Sequence, residues 1–229
     1  MGGSPAGDGT LSLDGFNASA AALVKRWKEI EVDDSLPDWT WKPCSKMGVP
    51  SEVEGYLALE GVYRDCGGSQ EQIDENDNSD GADVVACDTW HSLCPFPLQV
   101  QSCSDNVHVY DFHVVYSYSY KVPVLYFQGH RSDGQLLTLD EIKQHLPSNS
   151  LKVLGESKWT FITREEHPHL SRPWFTLHPC ATSDWMKLLL EQSKVAIEEQ
   201  SLLRYLSAWL SVVGQAVGLK IALELHCNS

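Results

Sequence analysis

The sequence predicts an α+β fold, in which one antiparallel sheet is flanked by helices. A helical apolar pattern opens the chain, alternating strand patterns fill its middle, and two helical patterns close it. Hydrophobic residues make up 42% of the 229 residues, which is enough for one sizeable core. We therefore expect a flexible, Gly-rich tail over residues 1–10 and a single domain over residues 11–229.

The first predicted elements are a helix and a short strand. Apolar residues at helical intervals predict a helix over residues 16–30, and Asn17 and Ser19 are its candidate N-caps. Trp39 and Trp41 are separated by one residue, and this spacing predicts a short strand.

A longer strand is predicted over residues 56–63. Leu57, Leu59 and Tyr63 fall on one face of this strand. Gly61 interrupts the pattern and is a candidate β-bulge.

The clearest strand pattern in the chain covers residues 107–120. Its aromatic face is expected to cover the core or the first helix, although aromatic side chains are also favoured at interfaces. His113 belongs to the opposite face. A tight turn near residues 120–121 and a strand over residues 122–129 complete an antiparallel hairpin. The aromatic face is formed by Tyr110, Phe112, Val114, Tyr116, Tyr118 and Tyr120.

The elements after the hairpin are shorter. Thr138 and Glu141 have the spacing of a capping box and predict a short helix that ends before Pro147. A strand is predicted over residues 158–163, and a loop over residues 167–173.

Two C-terminal helices are predicted over residues 182–199 and 202–217, and Gly218 is a candidate cap of the second. The apolar run over residues 202–225 contains charged residues and is too polar for a membrane span.

An acidic, polar segment over residues 65–83 interrupts these patterns. A calcium loop in this segment would need a bidentate glutamate at the position of Cys87, so we interpret the segment as a disordered loop insertion. A zinc site is equally unsupported, because the four candidate ligands lack a CxxC pair and include one histidine. The sequence therefore predicts no metal and no cofactor. The four candidates are Cys87, His91, Cys94 and Cys103.

The composition limits the classes of partner. A formal net charge of −14 argues against duplex nucleic acid or anionic membrane as the main partner and suits basic protein partners. Seven cysteines are irregularly spread, and no basic start leads into an apolar stretch. Both observations indicate reduced thiols in the cytoplasm.

The principal candidate site is the triplet His178-Pro179-Cys180, between a strand pattern and a helical pattern. Pro179 fixes its own φ and keeps His178 out of the helical region, which shapes the entry to the turn. A cysteine at a helix start lies near unpaired N–H groups and a positive dipole, which favour the reactive thiolate. His178 either adds positive charge beside the thiol or hydrogen-bonds the backbone. The alternative for Cys180 is a small, buried apolar residue.

Three segments resemble the autophagy branch of the ubiquitin-like-conjugating enzymes, whose active site carries a His-Pro-Cys triplet. These segments cover residues 166–168, 174–180 and 209–219. The short insertion over residues 65–83 and the Trp-Leu-Ser sequence at 209–211 are more similar to the members that modify a protein than to those that modify a lipid.

The resemblance implies a ubiquitin-conjugating fold and an enzyme that carries a ubiquitin-like modifier on Cys180 as a thioester before passing it to an acceptor lysine. It implies three protein partners: autophagy-related protein seven as activating enzyme, protein twelve as modifier and protein five as acceptor.

Ordinary ubiquitin-conjugating enzymes carry His-Pro-Asn upstream of the cysteine, and the asparagine serves the oxyanion step. This chain has His167-Pro168-His169 instead, so the group that stabilises the oxyanion is open. Thr163 and Tyr56 are candidates from their strand positions.

Two other classes of function are alternatives to a conjugating enzyme. A cysteine hydrolase would need a base, for which His113, His167 and His169 are available, and an orienting Asn or Asp. A non-catalytic adaptor with a conjugating fold would bind its partners after Cys180→Ala with no biological loss.

Overall fold

The computed structural model describes residues 7–30, 37–44, 54–65, 107–146, 162–191, 198–219 and 221. Within these ranges the elements are, in order, helix α1, four strands, a short helix, two strands and two further helices. The elements are α1 (Leu13–Glu29), β1 (Thr40–Pro43), β2 (Gly55–Asp65), β3 (Val107–Ser117), β4 (Val122–His130), α2 (Leu139–Gln144), β5 (Ile162–Glu166), β6 (Pro173–Leu177), α3 (Thr182–Glu191) and α4 (Glu198–Ala216).

The six strands form one sheet in the order β1-β2-β3-β4-β6-β5, and every neighbouring pair is antiparallel. Strands β5 and β6 are joined by a short loop over residues 167–172, which we call the His167 loop. The predicted α+β class, one antiparallel sheet with flanking helices, is confirmed.

The two faces of the sheet are covered differently. One face packs against all four helices in the main core, where Phe16 of α1 and Trp209 of α4 are fully buried. The opposite face carries a second, smaller cluster made of sheet residues alone, which are Tyr56, Ala58, Val115, Val124, Tyr126 and Trp174.

Helix α1 starts earlier than predicted. Ser12, rather than Asn17 or Ser19, is the N-cap, and its side chain accepts a hydrogen bond from the Gly15 N–H. The apolar stripe first becomes regular at Phe16, which is why the pattern missed the first turn.

Residues 7–10, which we assigned to a flexible tail, are in contact with the rest of the fold. The Tyr205 hydroxyl donates a hydrogen bond to the Gly9 carbonyl at 2.8 Å, and the N–H of the buried Leu11 donates to the Lys121 carbonyl at 2.8 Å. The prediction is corrected for residues 7–10, because these buried polar contacts hold the described part of the segment. Residues 1–6 lie outside the described residues.

Strand β2 contains the bulge predicted at Gly61. Glu60 and Gly61 together lie opposite the single residue Asp111, and Gly61 has a φ of +78°. The extra residue reverses the alternation, so that Val62 is buried whereas Tyr63 is 71% exposed. Our placement of Tyr63 on the same face as Leu57 was therefore wrong.

Strand β3 is shorter than predicted and ends at Ser117. Tyr116 packs against Phe16 of α1, as expected for the aromatic face. Tyr118 and Tyr120 instead belong to the β3–β4 turn and are 54% and 42% exposed. The turn interrupts the alternation, so these two tyrosines do not reach the core.

The later elements are of the predicted types, but some begin or end at other residues than predicted. The capping box at Thr138 and Glu141 is complete. Gly218, at a φ of +66°, ends α4 with the hydrogen bonds of a Schellman motif. The predicted break between residues 199 and 202 was wrong, because α4 is continuous from Glu198 to Ala216.

Several predictions lie outside the described residues. These are the acidic insertion after Asp65, the candidate zinc ligands, the strand start at residues 158–161 and the segment 192–197. The single domain over residues 11–229 stays a prediction.

Candidate functional site

Strand β6 leads directly into the His178-Pro179-Cys180 triplet. The Thr182 N–H donates to the Pro179 carbonyl at 3.0 Å, and the Trp185 N–H donates to the Ala181 carbonyl at 3.3 Å, so α3 begins immediately after the triplet. Pro179 is buried, whereas Cys180 is exposed. The thiol therefore lies in a turn before a helix, open to solvent, and is not a buried apolar residue.

His178 hydrogen-bonds the backbone of the cysteine. The Cys180 N–H donates to Nδ1 of His178 at 3.2 Å, and the ring of Tyr120 meets the imidazole edge-on at a centroid distance of 5.7 Å. Because Nδ1 accepts this bond, it carries no proton while the bond persists. Of the two roles weighed for His178, the structure supports the backbone role.

A groove of about 360 Å³ lies between the β3–β4 turn and the His167 loop. His178 and Pro179 line this groove, as do Pro168 and His169 of the His167 loop. The lining from the sheet and the turn includes four aromatic side chains, Tyr116, Tyr118, Tyr120 and Tyr126.

Carboxylates give the groove an acidic character. Glu165 of β5 lines the groove, and its Oε1 accepts a hydrogen bond from the Thr163 hydroxyl at 2.9 Å. The Tyr118 hydroxyl donates to Oε1 of Glu54 at 2.9 Å, and burial together with this carboxylate raises the pKa of Tyr118 to about 12. Burial and Glu165 also raise the pKa of Tyr126. Both phenols remain neutral at physiological pH.

Two of the three candidates for a hydrolase base are buried in the fold. His113 and His167 are buried and hydrogen-bonded to each other at 3.1 Å, so neither imidazole is free to accept a proton from an exposed thiol. His169 lines the groove and stacks on Tyr56 at 5.5 Å.

The two candidates for the oxyanion step are not among the residues that line the groove in the described part of the chain. Tyr56 is buried in the cluster beneath the His167 loop. The Thr163 hydroxyl is directed to Glu165.

Sequence reasoning missed three parts of this site. The exposed tyrosines of the turn were placed on a face expected to cover the core or the first helix. Glu165 was not singled out, and the contact between His113 and His167 spans 54 positions in sequence. One feature of the sequence could have indicated this contact: His113 lies on the face of its strand opposite the aromatic stripe.

Within the described ranges, no group of three or more His, Cys, Asp or Glu residues is arranged to hold a metal ion. No helix in those ranges is long and apolar enough to cross a membrane.

Comparison with known proteins finds a matching family and several similar proteins. Residues 15–224 match the family described as autophagocytosis associated protein, active-site domain. The ubiquitin-like-conjugating enzyme ATG10 of Arabidopsis thaliana is 44% identical over 220 residues, covering 95% of this chain and 96% of that protein. The protein of the same name from Homo sapiens is 39% identical over 136 residues, covering 56% of this chain and 60% of that protein.

A solved structure described as the crystal structure of the autophagic E2 Atg10 is also similar. It has 14% sequence identity and a TM-score of 0.44, and the match covers 92% of this chain and 99% of that one.

Proposed function

Because this chain belongs to the autophagocytosis-associated active-site family of ubiquitin-like-conjugating enzymes, we propose that it carries a ubiquitin-like modifier on Cys180 and transfers it to an acceptor lysine. Within this family, the chain is similar to autophagy-related protein ten, as the two relatives named ATG10 show.

The observation that carries the proposal is the exposed Cys180 in the turn before α3, beside a groove that its neighbours His178 and Pro179 line. Transfer between thioesters requires a thiol that large protein partners can reach. It also requires a route by which a second nucleophile approaches the same sulfur.

The reaction has two steps. In loading, the Cys180 thiolate attacks the thioester carbonyl of the charged activating enzyme; a C–S bond to Cys180 forms, and the activating enzyme's cysteine leaves as a thiolate. In discharge, a neutral lysine amine attacks the new thioester, a C–N bond forms, and Cys180 leaves as a thiolate. The surplus proton of the amine passes to a base or to water.

The groove beside Cys180 suits the acceptor lysine. Aromatic walls accept the aliphatic stem of a lysine, and carboxylates attract its ammonium group during approach. Glu165 and the Glu54 carboxylate on Tyr118 provide this charge. The formal net charge of −14 has the same sign and favours a basic surface on the acceptor.

The partners follow from the family assignment. The activating enzyme would be autophagy-related protein seven, the modifier protein twelve and the acceptor protein five. These partners imply that the enzyme acts in the cytoplasm.

A pulse-chase experiment tests the transfer. The enzyme is charged with modifier twelve by the activating enzyme and ATP, the activating enzyme is stopped with EDTA, and protein five is added. We expect a product that resists reductant to appear as the thiol-sensitive adduct disappears. Cys180→Ala should abolish both species, whereas Cys44→Ala, at the other described free cysteine, should change neither by more than about twofold.

Two alternative outcomes identify the rival functions. An adaptor would bind all three partners and remain fully functional as Cys180→Ala. A cysteine hydrolase would cleave an activated ester through Cys180 with no partner present.

A further inference from the structure

A chain of hydrogen bonds, buried at its two histidines, links the sheet to the His167 loop. The two-step reaction above does not use it. Lys42 of β1 pairs with Glu60 at 3.0 Å. Oε1 of Glu60 lies 3.2 Å from Nε2 of His113, and Nδ1 of His113 lies 3.1 Å from Nε2 of His167. Both imidazoles are almost fully buried on the sheet face that carries no helix in the main core.

The donors and acceptors of this chain have one consistent assignment. The His169 N–H donates to Nδ1 of His167, so a neutral His167 carries its proton on Nε2 and donates it to Nδ1 of His113. His113 then carries its proton on Nε2 and donates to the Glu60 carboxylate. Burial lowers the pKa of both histidines, that of His167 to about 3, and neutral rings are the form that this pattern requires.

His167 is also the residue around which its loop closes. Its N–H donates to the Arg172 carbonyl at 2.8 Å, and its carbonyl accepts from the N–H groups of Leu170 and Ser171. Ser171 adopts a φ of +51°, a conformation that L-residues rarely adopt unless the surroundings hold it. The backbone and ring of His167 together therefore fix the loop from the inside.

Aromatic rings surround the pair and leave it little room to move. His113 stacks on Trp174 at 4.3 Å and lies 4.6 Å from Tyr56. His167 lies 5.0 Å from Tyr126 and 5.2 Å from Trp174. Tyr126 reaches the groove from the same cluster, so the packing of the pair continues into the groove lining.

We propose that His113 and His167 are positioning residues for discharge, because they hold the His167 loop as a fixed wall of the groove through which the acceptor lysine approaches Cys180. Pro168 and His169, the two residues of that wall, follow His167 directly in the chain. The pair touches neither the thiol nor the lysine, and it acts through the position of these two residues.

The pair should matter for discharge and not for loading. Loading requires the exposed thiol, which lies in the turn between β6 and α3. Discharge requires the amine to reach the thioester along the groove, and a displacement of about 1 Å in a positioning wall can cost about a hundredfold in rate. This inference rests on the proposed function.

Two conservative substitutions of His167 separate its hydrogen bonds. His167→Asn keeps an acceptor for the His169 N–H near the position of Nδ1, but it is too short to donate to His113. His167→Gln keeps a donor near the position of Nε2 and restores the link to His113. His108→Gln is the matched control, because His108 is also buried and lies on β3, the strand of His113, near its opposite end.

The test measures loading and discharge separately by single turnover, with protein five and with free lysine as acceptors. For His167→Asn we expect loading within about twofold of the unmodified protein and discharge at saturating acceptor slowed by about tenfold or more. His167→Gln should recover most of this loss, and His108→Gln should discharge at the normal rate.

Three results would overturn the inference: discharge by His167→Asn at the normal rate, loading that falls in parallel with discharge, or no recovery in His167→Gln. The second would mean that the pair serves only the stability of the fold. Absence of a thioester on the unmodified protein would instead contradict the proposed function, so the two failures are distinguishable.

Discussion

At the scale of single residues, His178 connects the end of β6 to the cysteine that follows. Its Nδ1 accepts the Cys180 N–H at 3.2 Å, which fixes the backbone of the turn before α3. A hydrogen bond of this kind contributes about 1 kcal/mol. The histidine thus shapes the turn in which the thiol is presented.

His178→Phe should slow loading by about fivefold, because the Cys180 N–H loses its acceptor and the turn gains freedom. His178→Asn keeps an oxygen that can accept from the N–H two residues ahead and should load within about twofold of the unmodified protein. The measurement is the initial rate of thioester formation at fixed activating enzyme. Equal rates for both variants would show that the bond does not contribute to loading.

The triplet could be predicted from the sequence, but the residues that surround it in the fold could not. His178, Pro179 and Cys180 are adjacent in the chain, and their chemistry is readable from local order. The contact between His113 and His167 depends on the register of strands far apart in sequence, which alternation alone does not determine.

At the scale of elements, the N-terminal segment packs against the start of α3. Gly9 has a φ of +80°, and a Cβ added there would collide with the Ser183 carbonyl oxygen and lie 2.7 Å from the Lys187 nitrogen. These are backbone atoms of the helix that follows Cys180, so they cannot move aside cheaply. Glycine is required at this position by space as well as by conformation.

Gly9→Ala should lower the free energy of unfolding by about 2 kcal/mol more than Gly134→Ala does. Gly134 is the matched control, because its φ is +83° and its added Cβ would meet nothing within 4 Å. Both variants incur the cost of positive φ, which is about 1–2 kcal/mol, and only Gly9→Ala adds a collision. Urea denaturation measures the difference, and equal losses would contradict the packing of this segment on α3.

The types of the elements could be predicted from the sequence pattern. Their boundaries and faces could not, because they depend on a bulge and a turn that the pattern does not show. The bulge at Glu60 and Gly61 reversed the face of Tyr63, and the β3–β4 turn removed Tyr118 and Tyr120 from the strand. Each is a local break in the period of two on which the assignment rests.

At the scale of the whole molecule, the buried histidines make stability depend on pH. Burial lowers the pKa of His113 and of His167 in the folded state, whereas in the unfolded chain they titrate near about 6.5. Below that pH the unfolded state binds protons that the folded state does not, so the folded state loses stability as the pH falls.

The free energy of unfolding should fall between pH 6.5 and 5, with His167 contributing about 1.4 kcal/mol per pH unit. Glu60, whose folded pKa is lowered chiefly by its hydrogen bonds to Lys42 and His113 against the effect of burial, loses its contribution only at lower pH. Between pH 6.5 and 5, the free energy of unfolding of His167→Asn should therefore fall less steeply with pH than that of the unmodified protein, as measured by urea denaturation. An unchanged slope in this variant would contradict the buried, neutral state of His167.

The fold class was readable from the sequence because the order of helical and alternating patterns is a property of the whole chain. The sheet order β1-β2-β3-β4-β6-β5 was not, since the insertion of β6 between β4 and β5 follows from long-range pairing. That pairing brings the His167 loop alongside the β3–β4 turn and forms the groove.

The central claim, that Cys180 carries the modifier, is tested most directly by charging the enzyme with the activating enzyme, modifier twelve and ATP and comparing gels with and without reductant. The account predicts an adduct that reductant removes, and one that resists reductant in Cys180→Ser because the ester replaces the thioester. With an activating enzyme shown to be charged, an absent adduct, or a reductant-sensitive adduct that persists in Cys180→Ser, would contradict it.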